Sequence, residues 1–141
     1  MPNKFEGAYR LALEYAQERE QFVRPVAEFQ GLQWILADMS MGLAAARTLI
    51  RRAAVCPASE FPDVVKAAQV KVFASGMAIQ ATNDALQIFG TASYSRARPL
   101  ERMVCDSHMF TIGGGTAQIL RTQVASRILG KRLPQTRNGH V

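Results

Sequence analysis

Three consecutive glycines, Gly113, Gly114 and Gly115, separate a short apolar run from a segment with helical periodicity that begins at Thr116. Glycine has no Cβ and adopts positive φ readily, so a ligand can approach the main chain closely at such a stretch. The unpaired N–H groups at the start of a helix suit phosphate or another anion. The same pattern also fits a plain tight loop between two packed helices, so these residues alone leave both interpretations open.

Metal and thiol chemistry find little support in the sequence. The two histidines, His108 and His140, have no His or Cys partner at ligand spacing, so we expect no metal site. The two cysteines, Cys56 and Cys105, lie far apart and are interpreted as free thiols in a reducing compartment. Three carboxylates at predicted helix surfaces are interpreted as solvated or capping groups: Asp84, Glu101 and Asp106.

Composition indicates one soluble globular domain. The chain has 141 residues, of which 48% are hydrophobic and 20% charged, and this balance argues against disorder. No apolar run is long enough to span a bilayer, and the first residues lack the apolar core of a signal peptide. We therefore expect a cytoplasmic protein with no membrane partner.

The formal net charge of +6 raises the question of an anionic partner. A cluster at Arg47, Arg51 and Arg52 could favour an anionic ligand or nucleic acid, or could be a solvated basic face. Aromatic residues do not alternate with the cations, as a stacking platform for single strands requires. We expect no nucleic-acid partner.

The elements that must position these residues are helices. Apolar residues recur at helical spacing, Pro25 interrupts the pattern after the first segment, and Gly90 and Gly130 follow the ends of two others. The predicted helices cover residues 5–22, 30–54, 63–89, 100–110 and 116–129.

The connections favour one architecture. Residues 56–62 form a loop with two prolines, and no hairpin signal or period-2 run is present. Short loops between long amphipathic helices predict an all-α protein, an antiparallel four-helix bundle. We expect a helical domain at 1–130 and a polar tail at 131–141.

Three segments resemble one protein family in the same order and spacing. Residues 15–30, YAQEREQFVRPVAEFQ, are similar to a motif of acyl-CoA dehydrogenases that ends in "FxxPIxxFQ". Residues 83–90, NDALQIFG, with Tyr94 and with PLER at 99–102, resemble that family's "QIFGGxGY…P" segment. Residues 112–121, IGGGTAQILR, resemble its terminal "EGTxxIxR" segment. The resemblance covers nearly the whole chain.

The resemblance implies the last of the family's three domains. A complete member has an N-terminal α-domain, a middle β-domain and a C-terminal helical domain, and this chain is similar only to the last. The complete enzyme removes the α-proton of an acyl-CoA with a carboxylate, passes a hydride to FAD and then reduces an electron-transfer flavoprotein. The chain alone is therefore expected to be inactive and to meet acyl-CoA only within a complete enzyme.

The same resemblance implies six cofactor-binding residues. Arg19 matches an arginine that meets the FAD diphosphate of the neighbouring subunit, for which its planar fork is suited. Phe22 matches an aromatic near the adenosine, and Gln87 and Thr91 match positions at the adenine end. Thr116 and Gln118 match residues that contact FAD. For Arg19 the alternative is a helix-surface salt bridge with Glu14 or Glu18.

Four positions depart from the family's pattern. Val23, Thr91 and Ser93 stand where the family has glycines near cofactor contacts. Gly114 falls on the glutamate that is the α-proton base in many members, and glycine has no group to accept a proton. Other members carry the base on an earlier helix, at a position upstream of Met1, so we expect no catalytic base in this chain.

Three hypotheses follow for the function. The first is an acyl-CoA dehydrogenase C-terminal domain that binds FAD across a subunit interface and builds a dimer or tetramer through its apolar helix faces. The second is an assembly partner, without flavin, of a larger dehydrogenase subunit. The third is a basic nucleic-acid-binding bundle, which is motivated by charge alone.

Overall fold

The computed structural model describes residues 2–55 and 63–133, and it confirms an all-α fold. The loop predicted at 56–62, with Cys56, and most of the predicted tail lie outside these residues. The described helices are, in chain order, α1 (Pro2–Glu18), α2 (Gln30–Ala54), α3 (Val64–Phe89), α4 (Leu100–Ile112) and α5 (Ala117–Ile128).

Helix α3 is the centre of the fold and contacts all four other helices. Its buried face consists mostly of small residues, which let neighbouring helices approach closely. These buried small residues are Ala68, Ala74, Ser75, Ala78, Ala81, Thr82 and Ala85. Larger side chains from the surrounding helices complete the core, and the largest of those fully buried are Phe5, Met39 and Leu100.

The first four helices alternate in direction. The ends of α1 and α3 meet where Tyr15 stacks on Phe89, with the ring centroids 4.0 Å apart, so these two helices run the same way. Helix α4 runs antiparallel to α3. The Ser107 hydroxyl oxygen lies 3.2 Å from that of Thr82, and Gly113, directly after α4, accepts a hydrogen bond from Lys71, which comes earlier in α3. Helices α4 and α5 cover successive parts of α3 and together take the fourth position of the predicted bundle.

Local caps explain where α3 begins and ends. The Asp63 carboxylate accepts hydrogen bonds from the N–H groups of Val65, at 2.9 Å, and Lys66, at 3.3 Å. The N–H groups of Lys66 and Val65 hold the pKa of Asp63 below its ordinary value, because they stabilise the ionised form. At the other end Gly90 has φ +55, which terminates the helix in the way the sequence predicts.

The predicted first helix is too long. Helix α1 ends at Glu18, and the end of the predicted range 5–22 instead contributes β1 (Glu20–Gln21) to a small hairpin, whose second strand is β2 (Arg24–Pro25). The turn residues Phe22 and Val23 both have positive φ, +54 and +63. Such turns normally contain Gly or Asn, so the pair Phe-Val carries no hairpin signal in the sequence.

Candidate functional site

The hairpin displays two of the predicted cofactor residues. The Arg19 carbonyl accepts the Val26 N–H at 2.8 Å, which closes the hairpin beneath the arginine. The Arg19 side chain is exposed and has no ion pair within residues 2–55 and 63–133. Its predicted alternative role, a salt bridge on the surface of α1, is therefore wrong: Arg19 lies beyond the end of that helix, and Glu14 approaches Arg10 instead.

Phe22 extends from the tip of the hairpin and is 85% exposed. Its ring meets Phe29 edge to face, with the centroids 6.2 Å apart, and the guanidinium of Arg24 lies 4.1 Å from the centre of the Phe29 ring. These contacts attach the tip to the start of α2 and leave one side of Phe22 open to a ligand or another chain.

Arg19 and Thr91 line one shallow depression of about 330 Å³ between the hairpin and the end of α3. The aromatic pair Tyr15 and Phe89 forms part of its wall. Gln87 is exposed in the last turn of α3 but does not line this depression. The structure thus brings Arg19 and Thr91 together and places Phe22 and Gln87 at the same end of the molecule.

The three positions that lack the family's glycines have different structural consequences. Ser93 is buried, and its hydroxyl donates to the Gly90 carbonyl at 2.7 Å, which stabilises the short 3₁₀ turn Gly90–Tyr94. The Thr91 side chain is exposed inside the depression. Val23 is 99% exposed at φ +63, a conformation that costs a β-branched residue about 1–2 kcal/mol.

The glycine loop lies far from the hairpin. Gly114 and Gly115 have φ +68 and +92, which explains why glycines occupy these positions. Thr116 caps α5, because its hydroxyl oxygen accepts the Ile119 N–H at 3.3 Å, and Gln118 is exposed in the first turn.

Lys71, which belongs to none of the sequence motifs, anchors this loop. Its ammonium donates to the carbonyls of Gly113 and Gly115, with an N–O distance of 2.7 Å for the latter. One signal was present in the sequence: Lys71 follows Ala68 by three residues and precedes Ser75 by four, so it falls on the buried face of α3.

The predicted cofactor residues therefore form two separate groups. Lys71, beside the glycine loop, and Phe89, beside the hairpin, are separated by a helical rise of about 27 Å along α3. Arg19, Phe22, Gln87 and Thr91 belong to the hairpin end, whereas Thr116 and Gln118 belong to the loop end. Within one chain the two groups do not converge on a single pocket.

The remaining candidates offer no acid–base constellation. Asp84 accepts a hydrogen bond from the Gln80 side chain at 2.9 Å, and Glu101 is exposed in the first turn of α4. Asp106 has a polar or electrostatic partner of its own. Cys105 is an exposed free thiol. None of the described helices is long and apolar enough to cross a membrane.

A larger apolar groove of about 760 Å³ lies between α2, α3 and α5. Its walls are mostly aliphatic and aromatic side chains, with Arg121 as a cation among them. The apolar lining residues are Leu49, Val72, Phe73, Met77, Val124, Ala125 and Ile128.

Comparison with known proteins places this arrangement among related domains. The model of the acyl-CoA dehydrogenase C-terminal domain matches residues 3–129. A 3-sulfinopropanoyl-CoA desulfinase of Paraburkholderia xenovorans is 61% identical over 133 residues, which are 94% of this chain and 34% of the relative. The chain therefore spans about a third of the length of this relative.

Solved structures show the same fold. Butyryl-CoA dehydrogenase from Megasphaera elsdenii has a TM-score of 0.87 at 35% identity, covering 91% of this chain and 33% of that protein. A structure described as the FAD complex of PigA has a TM-score of 0.82 at 28% identity, covering 89% of this chain and 33% of that one. The matched residues include both the hairpin and the glycine loop in the family model, and this chain belongs to the acyl-CoA dehydrogenase family as its C-terminal helical domain.

Proposed function

We propose that this chain is the C-terminal domain of a flavoenzyme and contributes to two FAD sites, one at each end of α3. The separation of about 27 Å between its two groups of cofactor residues carries this proposal. Arg19, at the hairpin, faces the flavin of a neighbouring chain, as the family resemblance implies. Thr116 and Gln118, at the glycine loop, contact a different flavin. Each complete site then needs residues from two copies of the domain.

The residues at both ends fit such a ligand. At the hairpin, Arg19 presents a guanidinium with no ion pair among the described residues, which suits a diphosphate. At the loop, the Thr116 oxygen accepts from the main chain, so its hydrogen remains a potential donor, and the Gln118 amide is exposed. The bound flavin would supply the redox-active ring system, and these residues would hold it in place.

For the substrate we propose 3-sulfinopropanoyl-CoA. The desulfinase relative is 61% identical to this chain, and removal of a sulfinate group breaks a carbon–sulfur bond. Gly114, at the position of the α-proton base in many members, is compatible with this assignment because glycine cannot accept a proton there. Dehydrogenation of an acyl-CoA is the second candidate, favoured by the 35% identity to butyryl-CoA dehydrogenase.

A hybrid enzyme tests this substrate. In the hybrid, the C-terminal third of the Paraburkholderia desulfinase is replaced by this chain. We expect the hybrid to bind FAD and to release sulfur as an inorganic oxyanion from 3-sulfinopropanoyl-CoA, without reducing an artificial electron acceptor. The unmodified relative is the positive control. Acceptor reduction with butyryl-CoA and no sulfur release would contradict the substrate assignment and favour dehydrogenation.

The isolated chain has a different expected behaviour. Without the other domains we propose that it is inactive and self-associates as a dimer or tetramer, since it exposes an apolar groove and large apolar side chains such as Trp34. Light scattering at micromolar concentration checks this, and a monomer would count against it. Self-association without any retained flavin would favour the assembly-partner hypothesis.

A further inference from the structure

One lysine connects the central helix to the glycine loop. Lys71 is half-buried on α3, and its ammonium reaches across 42 and 44 positions of sequence to the carbonyls of Gly113 and Gly115. An ammonium has three N–H donors, so these two bonds use most of its capacity. The loop that carries the family's base position and leads into Thr116 is thus attached to α3 through this side chain.

The two bonds determine how the peptide groups of the loop are turned. In a trans peptide unit the C=O and N–H bonds point in opposite directions. Because the carbonyls of Gly113 and Gly115 face Lys71, the N–H groups of Gly114 and Thr116 face away from it. Neither N–H has an acceptor in the part of the chain that the structure describes.

Glycine at position 114 leaves room for this arrangement. A Cβ at Gly114 would lie 3.4 Å from the Lys71 Nζ, so any side chain there would start in contact with the ammonium. Gly114 and Gly115 also have positive φ, which other residues adopt at a cost. The lysine and the glycines therefore depend on each other: the glycines permit the turn, and the lysine selects one orientation of it.

We propose that Lys71 is a positioning residue of the flavin site, which sets the placement of Thr116 and Gln118 by fixing the glycine loop. This inference rests on the proposed function, because it assigns the loop end of α3 to a flavin. Lys71 itself acts through the loop. Its removal changes the order of Gly113–Gly115 first and the affinity for FAD as a consequence.

The first arm of the test measures loop order in the 141-residue chain by NMR ¹⁵N relaxation. Lys71→Met keeps the length and apolar stem of the side chain but removes the donors. Lys66→Met, an exposed lysine on the same helix, is the matched control. We expect order parameters of about 0.85 for Gly114 and Gly115 in the parent and control, and below about 0.6 in Lys71→Met. Equal order in all three proteins would overturn the proposal.

A measurement on the parent chain covers the case in which Lys71→Met fails to fold. The hydrogens of a bonded ammonium exchange with water more slowly than those of a solvated one. We expect the Lys71 ammonium to give a slowly exchanging NMR signal, in contrast to that of Lys66, whose exposed ammonium lies 3.8 Å from the Asp63 carboxylate, beyond hydrogen-bond distance. Equally fast exchange at both lysines would overturn the proposal without any substitution.

The second arm measures FAD affinity in the hybrid enzyme. We expect Lys71→Met to raise the Kd for FAD about tenfold or more, and Lys66→Met to leave it unchanged. A disordered loop with unchanged affinity would overturn the positioning role while the proposed function stands. A parent hybrid that binds no FAD would overturn the proposed function and the flavin part of this inference, and the NMR arm would still decide whether Lys71 orders the loop.

Discussion

The hairpin and the glycine loop, at the two ends of α3, use different residue types for similar backbone conformations. Both the hairpin and the glycine loop need consecutive residues with positive φ. At the loop these positions are Gly114 and Gly115, at φ +68 and +92, and the Lys71 ammonium binds the carbonyls of Gly113 and Gly115. At the hairpin they are Phe22 and Val23, at φ +54 and +63, and the valine side chain is 99% exposed. The loop end agrees with its local sequence, whereas the hairpin end is strained.

This difference shows at which of the two turns the residue types predict the backbone conformation. Where residue type and backbone conformation agree, as at the glycine loop, the turn is predictable from the residues. At the hairpin, the contacts of Phe22 and Arg24 with the Phe29 ring hold a turn that its residues disfavour. Strain that persists in this way is common at functional sites, which agrees with a role for the hairpin in contacting another chain's flavin.

A glutamate at position 114, where many family members have their α-proton base, would conflict with the positive φ of the glycine loop. We expect Gly114→Glu to lower the free energy of unfolding by about 1–2 kcal/mol, because φ is positive there. We also expect no gain of dehydrogenase activity in the hybrid, since the new side chain begins 3.4 Å from the Lys71 ammonium. Urea unfolding of the chain and acceptor reduction by the hybrid measure the two effects.

A glycine on an open helix surface is the matched control for that substitution. Gly76→Ala places a Cβ with no neighbour within 4 Å, so it should raise stability by about 0.5–1 kcal/mol. A hybrid carrying Gly114→Glu that oxidises butyryl-CoA would contradict the structural account of the loop.

Removing the strain would sharpen the comparison at the hairpin end. Val23→Gly should raise the free energy of unfolding by up to about 1 kcal/mol, because relief of about 1–2 kcal/mol of strain exceeds the entropic cost of the glycine. Val64→Gly, in the first turn of α3, is the control and should lower stability. Urea unfolding measures both free energies. A loss of stability in Val23→Gly would show that the hairpin turn is not strained.

The smallest expected effect is the pH dependence of the α3 cap. The pKa of Asp63 is lowered in the folded chain, so its stabilising effect is complete above the unfolded pKa, about 3.9, and is lost as the pH falls through the folded value. Asp63→Asn keeps a capping oxygen but cannot ionise. We expect the stability of the parent to fall more steeply than that of Asp63→Asn below about pH 4, as followed by thermal unfolding. If the stabilities of the parent and of Asp63→Asn fell in parallel as the pH is lowered, ionisation of Asp63 would not be the cause of the pH dependence.

Much of the fold is predictable from the sequence. Helix α2 matches its predicted bounds, and α3 begins one residue after its predicted start, because Asp63 is the cap rather than the first helical residue. These helices can be predicted because they contain long stripes of small and apolar residues and have recognisable residues at their ends. The hairpin was missed because Phe22 and Val23 carry no turn chemistry.

The candidate site is less predictable than the fold. Position along the chain does not show that Arg19 and Gln118 lie at opposite ends of α3, since this follows from how α1, α4 and α5 pack along α3. Lys71 was missed because its bonds are to main-chain carbonyls more than forty positions away. The cofactor contacts of Arg19, Phe22, Gln87, Thr91, Thr116 and Gln118 stay predictions.

Complementation between two defective hybrids tests the two-chain site most directly. One hybrid carries Arg19→Met, and the other carries both Thr116→Ala and Gln118→Ala. Each alone should bind FAD poorly. In a randomly mixed dimer population half the dimers combine the two variants, and each of these has one intact site, so about one quarter of all sites should recover FAD. Recovery near that fraction is the predicted result. No recovery in verified mixed dimers would contradict the account, because it would mean that a single chain supplies both groups to one flavin.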